Sequence, residues 1–228
     1  MNLTVLGRRQ IHILQRIRAL ESAISSFTDD RSDFHSVHYD GEHENIEQRL
    51  GKLLRAGGVN TFQFKRVPHD YYDRPLEVRR DLLAAHSIHH LCKSMVMVNT
   101  QADKSITDCS DHNNSKYYVI VIQYSARLNA EKVRNFVYSL NNGKIPKKRF
   151  NMRLAPEEDA FVLSGYEHNA ITPIGMKTDI PVILSDAIVK LKPDYFWLGG
   201  GEVDLKLGIR TQEFINFVKP FIVDCSDV

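Results

Sequence analysis

The sequence predicts an α+β protein built around a mixed β-sheet. Short apolar segments rich in β-branched and aromatic side chains recur along the 228 residues and outnumber the segments with helical spacing. The two kinds of segment are interspersed without the regular strand–helix alternation of a parallel α/β fold. A hydrophobic content of 43% is enough for the core of one domain of ordinary size with an extension.

The N-terminal region is predicted to lie outside that domain. Apolar residues between residues 7 and 27 are spaced by three and four, which predicts an amphipathic helix over residues 1–27 that packs on its own domain or on a partner. These residues are Leu14, Ile17, Leu20, Ile24 and Phe27. Residues 28–45 are polar and nearly free of aliphatic side chains, which indicates an exposed linker. The folded domain is therefore expected at residues 46–228.

Helical and strand patterns can be assigned along the domain in order. Helices are predicted at residues 46–58, 75–91, 129–140 and 211–218, and strands at 61–67, 93–100, 117–124, 160–165, 180–184, 194–199 and 203–209. The segments 93–100 and 117–124 are apolar on both faces, which is typical of central strands. Asn129 and Thr211 are the expected N-caps of the last two helices.

Charge and cysteine content indicate a compartment more than a function. The net charge of +2 and the pI near 8.4 are far from the excess of a protein that coats nucleic acid. Cys92, Cys109 and Cys225 are odd in number and widely spaced, which argues against a disulfide framework. No apolar run approaches a membrane span, and residues 1–10 do not have the order of a secretory signal. We expect a cytoplasmic protein with no membrane partner.

No metal, cofactor or protein nucleophile is predicted. His35, His38 and His43 match no standard ligand spacing and are interpreted as solvated loop residues. There is no GxSxG elbow for a serine nucleophile. Cys92 stands at the start of a strand, where a small buried thiol is the common finding.

Three segments carry candidate site residues. Residues 165–176 contain too many helix breakers for a helix and too little alternation for a strand. Lys93 is the first residue of an apolar strand. It is either a surface residue or a charge in a cleft that can bind a phosphate or polarise a carbonyl. Glycines at 199–201 lead into a strand and not into a helix, which argues against a phosphate-binding loop. Two interpretations stay open: a strand-to-strand turn, or a wall where a ligand lies against bare backbone. Asp204 beyond them is either exposed or directed into a cavity.

A basic run follows the third predicted helix. Its cations are Lys144, Lys147, Lys148, Arg149 and Arg153, with no acid among them. Such runs are often only solvated, but Pro146 and Phe150 interrupt this one, as in a shaped loop that faces phosphates.

In this order, these features resemble the YbaK and prolyl-tRNA-synthetase-associated (ProX-type) editing domains, the free-standing aminoacyl-tRNA deacylases. The resemblance covers roughly residues 58–223 and is strongest over 92–99 and 164–208. It implies a largely antiparallel, barrel-like sheet flanked by helices.

The resemblance also implies a role for each segment. Lys93 takes the place of the family's essential lysine, and residues 169–173 take that of its Gly-x-x-x-Pro substrate loop. The implied substrate-binding residues are His168, Asn169, Ala170, Ile171, Thr172, Pro173, Gly199, Gly200, Gly201 and Asp204. Asn169 replaces the family's glycine, and Gly199 replaces its serine. Because asparagine tolerates a left-handed backbone, we expect the turn to survive with a narrower or more polar pocket.

The implied reaction is hydrolysis of the ester between a mischarged amino acid and the 3' end of tRNA, with the tRNA-Pro class as the family expectation. A water attacks while Lys93 holds the terminal phosphate or the ester carbonyl, and main-chain N–H groups of both bends orient the ester.

The implied partners are tRNA and a synthetase. Lys144, Lys147, Lys148 and Arg149 would contact the acceptor stem, and residues 1–27 would dock on a synthetase or multi-synthetase complex. The alternatives are a non-catalytic tRNA-binding or scaffold subunit of such a complex and a hydrolase of another small ester.

Overall fold

The α+β class is confirmed by the computed structural model, which describes residues 44–227. Predictions for residues 1–43, the amphipathic helix and nearly all of the linker, lie outside the described residues. The helices, numbered from the first described one, are α1 (Ile46–Ala56), α2 (Leu76–Leu83), α3 (Ala130–Leu140), α4 (Glu157–Ser164), α5 (Asp186–Val189) and α6 (Thr211–Val218). The strands are β1 (Phe62–Arg66), β2 (Cys92–Asn99), β3 (Tyr117–Gln123), β4 (Arg127–Leu128), β5 (Met152–Leu154), β6 (Val182–Ser185), β7 (Phe196–Gly199), β8 (Leu205–Ile209), β9 (Phe221–Val223) and β10 (Ser226–Asp227).

The largest sheet has five strands in the order β5-β2-β3-β6-β9. Its first three strands are antiparallel, whereas β3, β6 and β9 run parallel. β3 is buried at every position because both faces of the sheet are covered. Val119 and Val121 face one apolar cluster, and Ile120 faces a second cluster that includes Val133 and Val137 of α3.

A second sheet has the antiparallel order β1-β8-β7, and β4 pairs with β10 in a small third one. A parallel bridge between Leu91 and Trp197 connects the start of β2 to β7. β5 pairs with β2 only at Met97–Asn99. The half of β2 that begins at Cys92 therefore has an open edge between the two sheets.

Helix α1 covers the end of the segment that contains residues 165–176. Its N-terminus has a capping box in which Asn45 accepts a bond from Gln48 N at 2.8 Å and the Gln48 side chain accepts one from Asn45 N. Arg49 on its surface donates to the Gly175 carbonyl and to the Tyr166 hydroxyl. The helix thus fixes one end of the predicted substrate segment.

The strand predicted at residues 160–165 is wrong, because this segment belongs to α4. Pro156 precedes the helix, three acids occupy its first turn, and Gly165 ends it with φ 80°. Acids near a helix N-terminus interact favourably with its dipole. The sequence shows no helical spacing here, because the apolar residues of this short helix are consecutive and point in all directions around its axis.

Two smaller predictions about helix ends also need correction. The helix expected at residues 75–91 stops at Leu83, where Ala84 adopts φ 52°. Thr211 is the first residue of α6, its hydroxyl is buried without a hydrogen-bond partner among the described residues, and Arg210 occupies the N-cap. Asn129 does cap α3, accepting bonds from the N–H groups of Glu131 and Lys132. Among the described helices, none has the length and apolar character to cross a membrane.

The packing of α1 gives a direct test of the fold. Leu50 is fully buried, whereas Leu53 on the same helix is 40% exposed. We expect Leu50→Ala to lower the free energy of unfolding by about 2–5 kcal/mol, because it leaves a cavity in the main cluster. Leu53→Ala, the matched control, should cost less than about 1 kcal/mol. Equal losses in urea unfolding would contradict the described packing.

Candidate active site

A cavity of about 380 Å³ lies at the open edge of β2. Of the predicted site residues, its walls contain Lys93, His168, Asn169, Ile171 and Gly199. These residues come from three segments that are far apart in the chain. The structure therefore brings the lysine, the predicted substrate loop and the first glycine of the turn to one space.

Lys93 is half-buried at the cavity wall. Its ammonium lies 5.5 Å from the centre of the Tyr124 ring, and within residues 44–227 it has no ion pair or hydrogen bond. Desolvation by burial lowers the pKa of Lys93. An ammonium without a counter-ion in such a place is available to an anionic or carbonyl oxygen of a ligand.

The predicted substrate loop has the backbone that its first residue suggested. Asn169 adopts φ 65°, the left-handed region where a family glycine is expected. Its carbonyl accepts a 2.6 Å hydrogen bond from the Tyr72 hydroxyl. Ala170, Thr172 and Pro173 are buried and do not line the cavity, so they shape the loop from behind.

The loop packs directly against the glycine turn. Gly201 N–H donates to the Ala170 carbonyl at 3.1 Å. A Cβ at Gly199 would lie 2.5 Å from the Ile171 carbonyl oxygen and 3.1 Å from that of Ala170. No side chain fits there without displacing backbone, which explains why glycine occupies position 199.

The main-chain donors differ from the expectation. Gly200 N–H donates to the Leu205 carbonyl and Gly201 N–H to that of Ala170, so neither is available to an ester. The Ala170 N–H is likewise used, by the Glu167 carbonyl. Ile171 N–H has no partner among the described residues, and Ile171 lines the cavity.

Ser94 adds donors that the sequence analysis missed. The Val96 carbonyl accepts from Ala155 N at 2.9 Å, so the main-chain groups of Val96 point to the β5 side. Since orientation alternates along a strand, those of Ser94 point to the same side, where the edge is open. The Ser94 hydroxyl lines the cavity, is buried, and has no hydrogen-bond partner within residues 44–227. A serine in an apolar strand was the available signal.

The predicted Asp204 lies outside the cavity. Both of its carboxylate oxygens accept bonds from Arg66, at 3.0 and 2.9 Å, and Gly200 also lies outside the lining. Lys206, two residues further on, lines the cavity instead and is only 4% exposed. The sequence analysis did not single out Lys206. Its side chain is buried because the rings of Tyr71 and Tyr72 lie against its ammonium.

Aromatic side chains and cations form one wall. Tyr71, Tyr72 and Tyr124 line the cavity. They surround the guanidinium of Arg79, which is not itself in the lining and lies 5.4 to 5.6 Å from the centre of each ring. Burial lowers the pKa of Lys206 on this wall to about 8. Cations therefore dominate the interior, and an electron-rich or anionic ligand is favoured.

Comparison with known proteins assigns the chain to a family. Residues 83–217, more than half of the chain, match the aminoacyl-tRNA editing domain. The chain belongs to that family. No curated protein is similar enough to count as a match.

Solved structures support the fold of this editing domain. The crystal structure of "a putative trans-editing enzyme for prolyl tRNA synthetase" is 16% identical and has a TM-score of 0.61, covering 80% of this chain and 98% of that one. A scaffold protein used for computational epitope grafting is 14% identical with a TM-score of 0.61, covering 80% and 97%. A hypothetical protein is 17% identical with a TM-score of 0.57, covering 78% and 99%. At these identities the likeness concerns the fold.

The rim of the editing-domain cavity carries opposite charges. His168 Nδ1 lies 3.1 Å from Glu157 Oε1, and both side chains are more than half exposed. Glu157 is the one acidic residue among the described residues that line the cavity. Cys92 also lines it, but burial raises the pKa of its thiol, which keeps it protonated. Within the described residues no cluster of three or more His, Cys, Asp or Glu could hold a metal.

The basic run lies at the other end of β2. The Asn99 side chain donates to the Arg149 carbonyl, and Asn99 is six residues from Lys93, about 20 Å along an extended strand. Lys147 pairs with Glu131 at 3.6 Å and Arg149 with Asp103 at 3.8 Å. Lys144 and Lys148 are exposed and form no ion pair within residues 44–227.

The close approach at Gly199 can be tested by adding one methyl group. Gly199→Ala should lower the free energy of unfolding by about 1–3 kcal/mol, since the Ile171 carbonyl must move. Gly51→Ala within α1 is the matched control, because its Cβ would meet the flexible end of Arg55 at 3.3 Å and the Phe64 ring at an ordinary contact distance of 3.8 Å. That control should gain about 0.5–1 kcal/mol. A neutral Gly199→Ala in thermal or urea unfolding would refute the contact.

Proposed function

We propose that the protein is a free-standing, trans-acting aminoacyl-tRNA deacylase that hydrolyses the ester of a mischarged tRNA, with the tRNA-Pro class as its expected substrate. The observation that carries this proposal is the single cavity lined by Lys93, the Asn169–Ile171 bend and Gly199. Membership of the editing-domain family supports the reaction class. The resemblance to prolyl editing enzymes supports the tRNA class.

The cavity suits the 3' end of an aminoacyl-tRNA. Tyr72 and Tyr124 line the cavity with aromatic rings on which the terminal adenine can stack. Lys93 supplies an unpaired ammonium for the terminal phosphate or the ester carbonyl. Glu157 at the rim is placed to bind the α-ammonium of the amino acid.

The reaction requires a developing oxyanion to be stabilised. The oxygen of a water adds to the ester carbonyl carbon, and the carbonyl oxygen becomes an oxyanion. We assign Lys93, the Ile171 N–H and the Ser94 hydroxyl as its candidate donors, in place of the occupied N–H groups of the glycine turn. The bond between the acyl carbon and the ribose oxygen then breaks. The proton lost by the water ends on that ribose oxygen, with the neighbouring ribose hydroxyl as the carrier.

The other proposed site residues have supporting roles. His168 orients Glu157 at the rim. Ala170, Thr172, Pro173, Gly200 and Gly201 shape the two bends, and Asp204 anchors Arg66 beside them. Docking on a synthetase through residues 1–27 stays a prediction.

Replacement of Lys93 tests the proposed chemistry. We expect Lys93→Ala to lower kcat/KM for deacylation by about 100-fold or more, since one preorganised donor to an oxyanion contributes that much. The assay offers alanyl-, cysteinyl-, seryl- and threonyl-tRNA to the pure protein. Lys65→Ala, outside the cavity lining, is the control and should keep the parent rate. Negligible turnover by both the parent and Lys93→Ala would favour the non-catalytic tRNA-binding reading instead.

The basic run should bind the acceptor stem mainly through its two unpaired lysines. We expect the double variant Lys144→Ala/Lys148→Ala to weaken tRNA binding and to reduce the slope of log K against log salt by about 1.4–1.8. Lys65→Ala/Lys190→Ala removes the same charge elsewhere and serves as the control. Identical salt slopes for the two double variants would exclude these lysines as phosphate contacts.

A further inference from the structure

A buried ammonium lies behind the substrate loop and does not belong to the predicted lysine site. Lys206 Nζ donates to the Tyr72 hydroxyl at 2.8 Å and to the Val203 carbonyl at 2.7 Å. It also lies 4.5 Å from the centre of the Tyr72 ring. Burial of a lysine ammonium costs free energy unless it is paired and hydrogen-bonded, so a buried lysine such as Lys206 calls for an explanation.

The charge of Lys206 sets the direction of a hydrogen-bond chain. An ammonium has three donors and no acceptor, so the Tyr72 oxygen must accept from Lys206. The phenolic proton of Tyr72 is then donated to the Asn169 carbonyl at 2.6 Å. The Tyr124 hydroxyl is a further hydrogen-bonding neighbour of Tyr72. The chain therefore runs from Lys206 through Tyr72 to the first residue of the substrate loop.

We infer that Lys206 is a positioning residue, which acts through the Tyr72 hydroxyl to hold the Asn169 carbonyl and with it the substrate loop. Its consequence for catalysis rests on the deacylase function proposed above. Asn169 is held in a left-handed conformation, and the next two residues pack on the glycine turn. Loss of the bond to its carbonyl should therefore release the loop at its first residue.

Deprotonation of Lys206 should reverse the direction of its hydrogen bond with the Tyr72 hydroxyl. A neutral amine has a lone pair that competes with the Asn169 carbonyl for the Tyr72 proton. The pKa of Lys206 is lowered to about 8, so this change occurs as the pH rises through that value.

Few other groups around Lys206 titrate in that range. The titratable and charged groups near the Lys206 ammonium and the Tyr72 hydroxyl, Tyr72 itself included, are Tyr71, Tyr72, Tyr124, Arg79 and Asp204. Burial raises the pKa of each of the three tyrosines, so they stay neutral there. Arginine stays protonated in proteins, and the Asp204 carboxylate is paired with Arg66.

The hydrogen-bond chain from Lys206 through Tyr72 to Asn169, here called the relay, can be measured without any enzymatic activity. The amide ¹⁵N shift of Ala170 reports on the hydrogen bond to the preceding carbonyl, that of Asn169. Between pH 6 and 10 we expect this shift to titrate with a midpoint near 8. The step should vanish in Lys206→Met and in Tyr72→Phe, which removes a single oxygen atom. It should persist in Lys65→Met, the control, because Lys65 is the cross-strand neighbour of Lys206 but lies outside the cavity lining and does not donate to Tyr72.

Kinetics then test the consequence for the reaction. Lys206→Met and Tyr72→Phe should each lower kcat for deacylation by about tenfold, the value of one hydrogen bond, and the double variant should lose no more. An unchanged Ala170 titration in either single variant would overturn the relay, whatever the activity. Additive losses in the double variant would also overturn it. A protein without deacylase activity but with the expected titration would leave the relay standing and reject the proposed function.

Discussion

The site depends on the contact between two bends of main chain. The Ile171 carbonyl occupies the space where a Cβ of residue 199 would be, and Gly201 N–H closes the pair at the Ala170 carbonyl. Backbone packed on backbone leaves little freedom for the loop that borders the cavity. Glycine at 199 admits the loop, and Asn169 supplies the left-handed turn that brings it there.

The second requirement is an open strand edge between two sheets. β2 has β3 on one side, but β5 covers only its last three residues. The uncovered half carries Lys93 and Ser94, whose polar groups face a cavity instead of a neighbouring strand. An open strand edge can pair with another chain and cause aggregation, but here the loop and the aromatic wall enclose it. Both lysines in the cavity are desolvated, which costs stability. The ammonium of Lys93 is left for an electron-rich ligand, whereas that of Lys206 is bonded to Tyr72 and Val203.

Much of the fold and half of the site could be predicted from the sequence. Two-sided apolar runs identified β2 and β3, and the motif order identified the lysine, the loop and the turn. Lys206 could not be found this way, because its burial depends on Tyr71 and Tyr72, which come from a distant part of the chain and which no local pattern relates to β8. Tyr72 was missed for a related reason: its role comes from a contact with Asn169, almost a hundred residues away. Donor availability at Gly200 and Gly201 likewise depends on which carbonyls the fold brings near them.

The central claim is that the ester of an aminoacyl-tRNA lies between Lys93 and the Asn169–Ile171 bend. A crystal structure with a non-hydrolysable amide analogue of 3'-aminoacyl adenosine 5'-monophosphate tests it most directly. The account predicts Lys93 Nζ at about 3 Å from the analogue's carbonyl or phosphate oxygen, with Ile171 N–H facing the same group. An analogue bound elsewhere, with the Lys93 ammonium in contact only with protein or solvent, would contradict it.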